Sequence, residues 1–116
     1  PRDLSDLARY PMVAITSDFG LRTQAWYDEV APGAHIASGA NTLQGVVAAL
    51  RSGMGTGVLP CVMGDAADGL VRLFPPIPAL VTPAWMVTTE AARQQPHVRA
   101  MIDFLVRYIL GPGRPA

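Results

Sequence analysis

Apolar residues recur along this chain at two spacings, and the spacing assigns each stretch to helix or strand. Leu4, Leu7 and Ala8 share one side of a helical turn over residues 3–10, which Pro11 ends. Residues 12–16 are a compact apolar run with β-branched Val13 and Ile15, read as a strand that leads into the loop Thr16-Ser17-Asp18-Phe19-Gly20. Leu21 with Ala25, and Trp26 with Val30, pair at i,i+4 in a helix predicted over 21–30. Pro32-Gly33 stops that helix, residues 34–37 form a second short strand, and Ser38-Gly39-Ala40 turns the chain.

The pattern is clearest over residues 41–60, NTLQGVVAALRSGMGTGVLP. Asn41 is the expected N-cap, and Leu43, Val46, Val47 and Leu50 fall on one helix face at the i, i+3, i+4, i+7 spacing. Gly53 and Gly55 supply the permissive backbone that ends the helix, and residues 56–59 read as a third strand closed by Pro60. A polar turn over 64–69 and an edge strand over 70–74 follow, then an extended stretch punctuated by Pro75, Pro76, Pro78 and Pro83. Residues 84–88 read as a last strand, with Trp85 and Val87 on one side and Met86 on the other. Pro96 opens a closing helix whose apolar stripe is Val98, Met101, Ile102, Leu105 and Ile109, ended by Gly111-Pro112-Gly113. Strands alternating with helices predict an α/β fold, a mainly parallel sheet with helices packed on its faces.

Composition narrows the functional classes. Half of the 116 residues are apolar and 16% are charged, which argues against disorder, and no apolar run approaches the ~20 residues of a membrane helix. No membrane contact is expected. Nine basic residues balance nine acidic ones, and no basic stripe is present to meet a phosphate backbone, so this chain is not expected to bind DNA itself. The single cysteine, Cys61, excludes an intrachain disulfide and suits a reducing compartment. No charged segment followed by an apolar stretch opens the chain, so no secretory leader is expected, and a start at Pro1 without an initiator Met reads as a piece of a longer protein.

Catalytic chemistry is thinly supplied. His35 and His97 show no HxxxH or HExxH spacing, no metal site is expected, and Cys61 would need the fold to bring His35 to it. Glycines 53, 55 and 57 follow a helix and precede a strand, the reverse of a phosphate-binding loop. Trp26, Trp85, Phe104 and Tyr108 lie on amphipathic elements and read as core or interface residues.

The segments DLARYPMV, ALRSGMGTGVLP and VRAMIDFLVRY, in this order and spacing, resemble the effector-sensing part of LysR-type transcriptional regulators over residues 4–109. The resemblance implies an effector domain of two α/β lobes like those of type 2 periplasmic binding proteins, and a three-layer lobe here with an incomplete first lobe. Residues 1–80 would be the second lobe. Residues 81–116 would be the crossover strand and C-terminal helix that complete the first. It further implies a non-enzymatic, cytoplasmic, homo-oligomeric regulator without cofactor, responding to a small-molecule effector such as an organic acid and reaching DNA only through a helix-turn-helix absent from this chain. The alternative with the same architecture is a lobe of an extracytoplasmic solute-binding protein.

In such a fold the ligand lies beyond the C-terminal ends of the strands. The effector-binding candidates are therefore Thr16, Ser17, Asp18, Phe19 and Gly20, then Asn41 and Thr42, then Pro60, with Cys61 a weaker neighbour. Hydroxyls at Thr16 and Ser17 and the helix N–H groups beyond them suit a carboxylate. The charge of Asp18 opposes one and favours an amine or hydroxyl, and Ser17, Asp18 and Asn41 each have an ordinary use as helix caps. The closing helix is expected to cover its stripe elsewhere in the chain or against another copy.

Overall fold

The computed structural model describes residues 1–110, the side chains of Phe19 and Leu110 excepted. The Gly111-Pro112-Gly113 stop therefore lies outside the described residues. Two compact units divide the chain, one spanning Pro1–Val81 and one beginning at Thr82.

The first unit opens with a 3-10 helix, Leu4–Arg9, capped by Asp3, whose carboxylate accepts from the Asp6 N–H at 3.1 Å. It then runs through β1 (Met12–Ile15), α1 (Asp18–Val30), β2 (Ile36–Ala40), α2 (Leu43–Arg51), α3 (Cys61–Ala66) and a 3-10 turn at Pro78–Leu80. β1 and β2 are parallel, in the register Met12 to Ile36, Val13 to Ser38, Ala14 to Gly39 and Ile15 to Ala40. On the other edge of β1 a single parallel bridge joins Met12 to Thr56, where Val13 N–H donates to the Thr56 carbonyl and Thr56 N–H to that of Pro11, each at 2.8 Å.

β1 is thus central, and the chain leaves it toward β2 on one edge and returns on the other. Both crossovers are right-handed in nearly all parallel sheets, so α1 and α2 flank opposite faces. Side chains of β1 alternate accordingly. Met12 and Ala14 pack with Leu7, Trp26, Tyr27 and Ala31, whereas buried Val13 stands outside that cluster, as does Val46, the most deeply buried residue of α2. Trp26 and Tyr27 meet edge to face, with ring centroids 5.6 Å apart. Large aromatic residues bury the most apolar area per residue, so this pair anchors α1 on the sheet.

Several expected elements are relocated. α1 begins at Asp18, three residues early, because Ser17 takes the N-cap position. β2 covers Ile36–Ala40 rather than 34–37, so Ser38-Gly39-Ala40 is strand and not turn: the ladder to β1 outweighs the local preference of small residues for a turn. Thr42, not Asn41, caps α2, its Oγ1 accepting from Gly45 N–H at 3.0 Å. The third strand over 56–59 contracts to the bridge at Thr56. Gly55 (φ +152°) turns so tightly there that a Cβ would stand 2.1 Å from the Pro11 carbonyl oxygen.

Cys61–Ala66 is a helix where a polar turn was expected from 64 onward, and 70–74 is not a strand. Arg72 instead turns back to α3 and grips Asp65, with Nη2 at 2.6 and 2.7 Å from the two carboxylate oxygens. The proline-rich stretch holds the short turn Pro78–Leu80.

The second unit contains α4 (Glu90–Arg93), capped by the Thr89 hydroxyl, and α5 (Pro96–Leu110), which packs on α4. Residues 84–88 are exposed and irregular rather than a strand, because no described neighbour offers them a ladder. Along α5, Val98, Ile102 and Leu105 are half-buried, while Met101, Phe104 and Ile109 of its apolar side remain 56%, 61% and 49% exposed.

Candidate functional site

Parallel strands bring their C-terminal ends to one side, and the loops leaving β1 and β2 meet there. Thr16 N–H extends the ladder by donating to the Ala40 carbonyl at 2.8 Å, which sets the first candidate loop beside the second. A Cβ on Gly39 would lie 2.9 Å from Thr16 Cγ2, so the strand end offers Thr16 no spare room. Thr16 itself is exposed.

Ser17 occupies the N-cap of α1 in extended conformation, yet its hydroxyl makes no capping hydrogen bond. The first turn is closed by the backbone, Gly20 N–H donating to the Ser17 carbonyl at 2.7 Å. Asp18 is an exposed first-turn residue rather than a cap, and its charge complements the positive end of the helix dipole. Phe19 lies in the same turn, its side chain outside the described structure. Gly20 is buried, and a Cβ there would come within 1.8 Å of the Ile15 carbonyl oxygen. Only glycine lets the start of α1 sit so closely on the end of β1.

Asn41 and Thr42 are both exposed at the entry of α2, with the Thr42 hydroxyl committed to the cap. Pro60 lies beyond the Thr56 bridge as the N-cap of α3, its carbonyl accepting from Met63 and Gly64 N–H at 2.9 and 3.1 Å. Cys61 is a half-buried free thiol on the first turn of that helix. Arg72 lies close enough for both Asp65 and Cys61 to favour its charged form, the Asp65 hydrogen bonds being the larger cause. The pair of Asp65 and Arg72 was not legible in the sequence, because seven residues separate the partners and only the turn at Gly69 (φ +84°) reverses the chain between them.

A sheet that returns on both sides of its first strand has its switch point beside that strand, between the loops after β1 and after Thr56. The void nearest it, bounded by β1, Gly20, Thr23, Gln24, Tyr27 and Val58, has a volume of about 10 Å³. That is about one water, whereas small-molecule sites run to hundreds of Å³. At this place the described residues present a wall of loops around a void of water size. A broader surface groove along the opening 3-10 helix lies at the opposite end of β1. Its carboxylates are already engaged, Asp3 by the Ser5 hydroxyl at 2.5 Å and Asp6 by Arg2 N–H at 2.9 Å. The Ser5 hydrogen bond, with that from Asp6 N–H, holds the Asp3 carboxyl below its usual range.

The Cys–His pairing is removed by topology. His35 precedes β2, its carbonyl accepting from Met12 N–H at 2.7 Å, while Cys61 follows the strand-like segment at the other end of the sheet. Among the described residues no cluster of three His, Cys, Asp or Glu could hold a metal ion, and no helix is long and apolar enough to cross a membrane.

Comparison with known proteins yields one family. A model of the LysR substrate binding domain matches residues 1–109. Neither the curated proteins nor the solved structures provide a match.

Proposed function

The chain belongs to the LysR substrate-binding domain family, and on that premise we propose that it is the effector-sensing part of a LysR-type transcriptional regulator. The family match over residues 1–109 carries this reading. The loop architecture supports it, since the switch point of the sheet carries hydroxyls and a helix start.

In this reading the unit Pro1–Val81 corresponds to the second lobe of a type 2 periplasmic-binding-protein-like domain, and the segment from Thr82 belongs with the first. The effector lies against the wall formed by Thr16, Ser17 and the first turn of α1, with Asn41 and Thr42 at one side and Pro60 and Cys61 at the other. The Ser17 hydroxyl, unused by its helix, and the first-turn N–H groups of Asp18 and Phe19 hold a carboxylate. Asp18 is turned to solvent and selects against a second negative charge nearby. Binding favours one lobe arrangement by its higher affinity for it, and this shifts the DNA-bound oligomer of a cytoplasmic parent protein whose helix-turn-helix reads the DNA.

Thermal unfolding with millimolar benzoate, succinate and related carboxylates tests the reading. A binder at about a hundred times its Kd stabilises by about 2.7 kcal/mol. Ser17→Ala and Thr16→Val should reduce that shift without lowering the ligand-free Tm. Absence of stabilisation by every carboxylate in the protein with both lobes present would remove the anion assignment.

A further inference from the structure

α1 touches two places of consequence. Its first turn rests on the end of β1 through Gly20, where the loop of candidate effector residues enters the helix. One residue past the glycine and its neighbour, Arg22 Nη2 donates to the carbonyl of Ala79 at 2.8 Å, across 57 positions of sequence. Ala79 belongs to the 3-10 turn Pro78–Leu80, whose bonds run from Leu80 N–H to the Ile77 carbonyl at 3.0 Å and from Val81 N–H to the Pro78 carbonyl at 3.2 Å. Ile77 and Leu80 pack against the core cluster that contains Trp26 and Tyr27 of α1. Val81 is the last residue of the first unit.

The segment by which the chain leaves the first unit is therefore fastened to the helix that begins at the candidate loop. We propose that Arg22 is a positioning residue, coupling displacement of the α1 first turn to the outgoing segment Pro78–Val81. This deepens the proposed function, because the coupling has regulatory meaning only where the loop binds an effector. Arginine suits the role: its planar guanidinium stays charged and donates in a fixed direction, so it follows the helix without losing its carbonyl partner. The apolar contacts of Ile77 and Leu80 hold the segment near α1, and the Arg22 hydrogen bond adds a directional tie between the two.

The test needs no effector, so it can fail while carboxylate binding stands, and the reverse. Gly20→Ala serves as a built-in displacement, since its Cβ cannot share space with the Ile15 carbonyl and the first turn must move. Gly39→Ala, pressing on Thr16 Cγ2, is the milder substitute should the first variant fail to fold. Amide hydrogen exchange of Leu80 and Val81 is measured in the 116-residue chain carrying either displacement, with and without Arg22→Ala. The displacement alone should change exchange at those two amides roughly threefold to tenfold, the scale of one net hydrogen bond in a local opening. With Arg22→Ala present that response should vanish, and Arg22→Lys should restore part of it. An unchanged exchange rate under displacement, or an equal response with and without Arg22, overturns the proposal.

Discussion

Tyr27 shows how one side chain ties two distant segments. It is buried on α1, and its hydroxyl lies 2.7 Å from Thr56 Oγ1, which also reaches the Pro11 carbonyl at 3.4 Å. The bond joins α1 to the bridge that begins the third strand-like segment. Burial raises the phenol pKa above its ordinary 10.0, with the Thr56 hydrogen bond opposing in part. A raised pKa means the folded state keeps the proton more tightly than the unfolded state. Stability from this group is full below pH 10 and is lost as pH climbs through the folded-state value. Tyr27→Phe should cost about 1 kcal/mol at neutral pH from the lost hydrogen bond. It should also flatten the decline above pH 10. Urea unfolding across pH 7 to 11 reads both effects, and a variant whose alkaline decline matches the parent would contradict the assignment.

Among the elements, α2 was the most legible in sequence and β2 the least. The helix follows from Leu43, Val46, Val47 and Leu50, because a single buried face imposes its own period whatever surrounds it. Its cap went to the neighbouring residue: Asn41 and Thr42 have equal chemical claim, and only backbone geometry places the Thr42 oxygen 3.0 Å from Gly45 N–H. Thr42→Ala should destabilise by about 1 kcal/mol, within the range for caps. Asn41→Ala should cost a few tenths at most, as surface changes outside such features do. Equal losses for both in chemical denaturation would reassign the cap. β2 was misplaced because Ser38, Gly39 and Ala40 carry no strand signal of their own, and their pairing with Val13, Ala14 and Ile15 exists only once α1 has returned the chain. The strands expected at 70–74 and 84–88 failed for the complementary reason, since alternating side chains do not make a strand without a ladder to join.

At the scale of the molecule, the first unit covers its sheet with helices while the second leaves apolar surface in water. Trp85 and Val87 are 84% and 88% exposed, and Met101, Phe104 and Tyr108 form an exposed row on α5 in which the two rings stack 6.1 Å apart. Exposed apolar side chains in such number promote association. The isolated chain should bind hydrophobic dye and sediment above monomer mass at micromolar concentration, and Phe104→Arg should lower both. A monodisperse, dye-silent monomer would contradict this expectation.

Periodicity and punctuation alone determined that this is an α/β chain, that α1, α2 and α5 exist, that Pro11 ends the opening helical turn, that Gly53 follows the end of α2, and that the loop from Ser17 follows β1. Those are local properties, written in side-chain spacing and in the backbone limits of proline and glycine. The tertiary structure decided which residue caps α2, where β2 lies, how far the third segment pairs, that Arg72 holds Asp65, and that Arg22 reaches Ala79. Each of these depends on partners distant in sequence or on the fit of backbone to backbone. Their energies arise only when the folded backbone brings the groups within hydrogen-bonding distance.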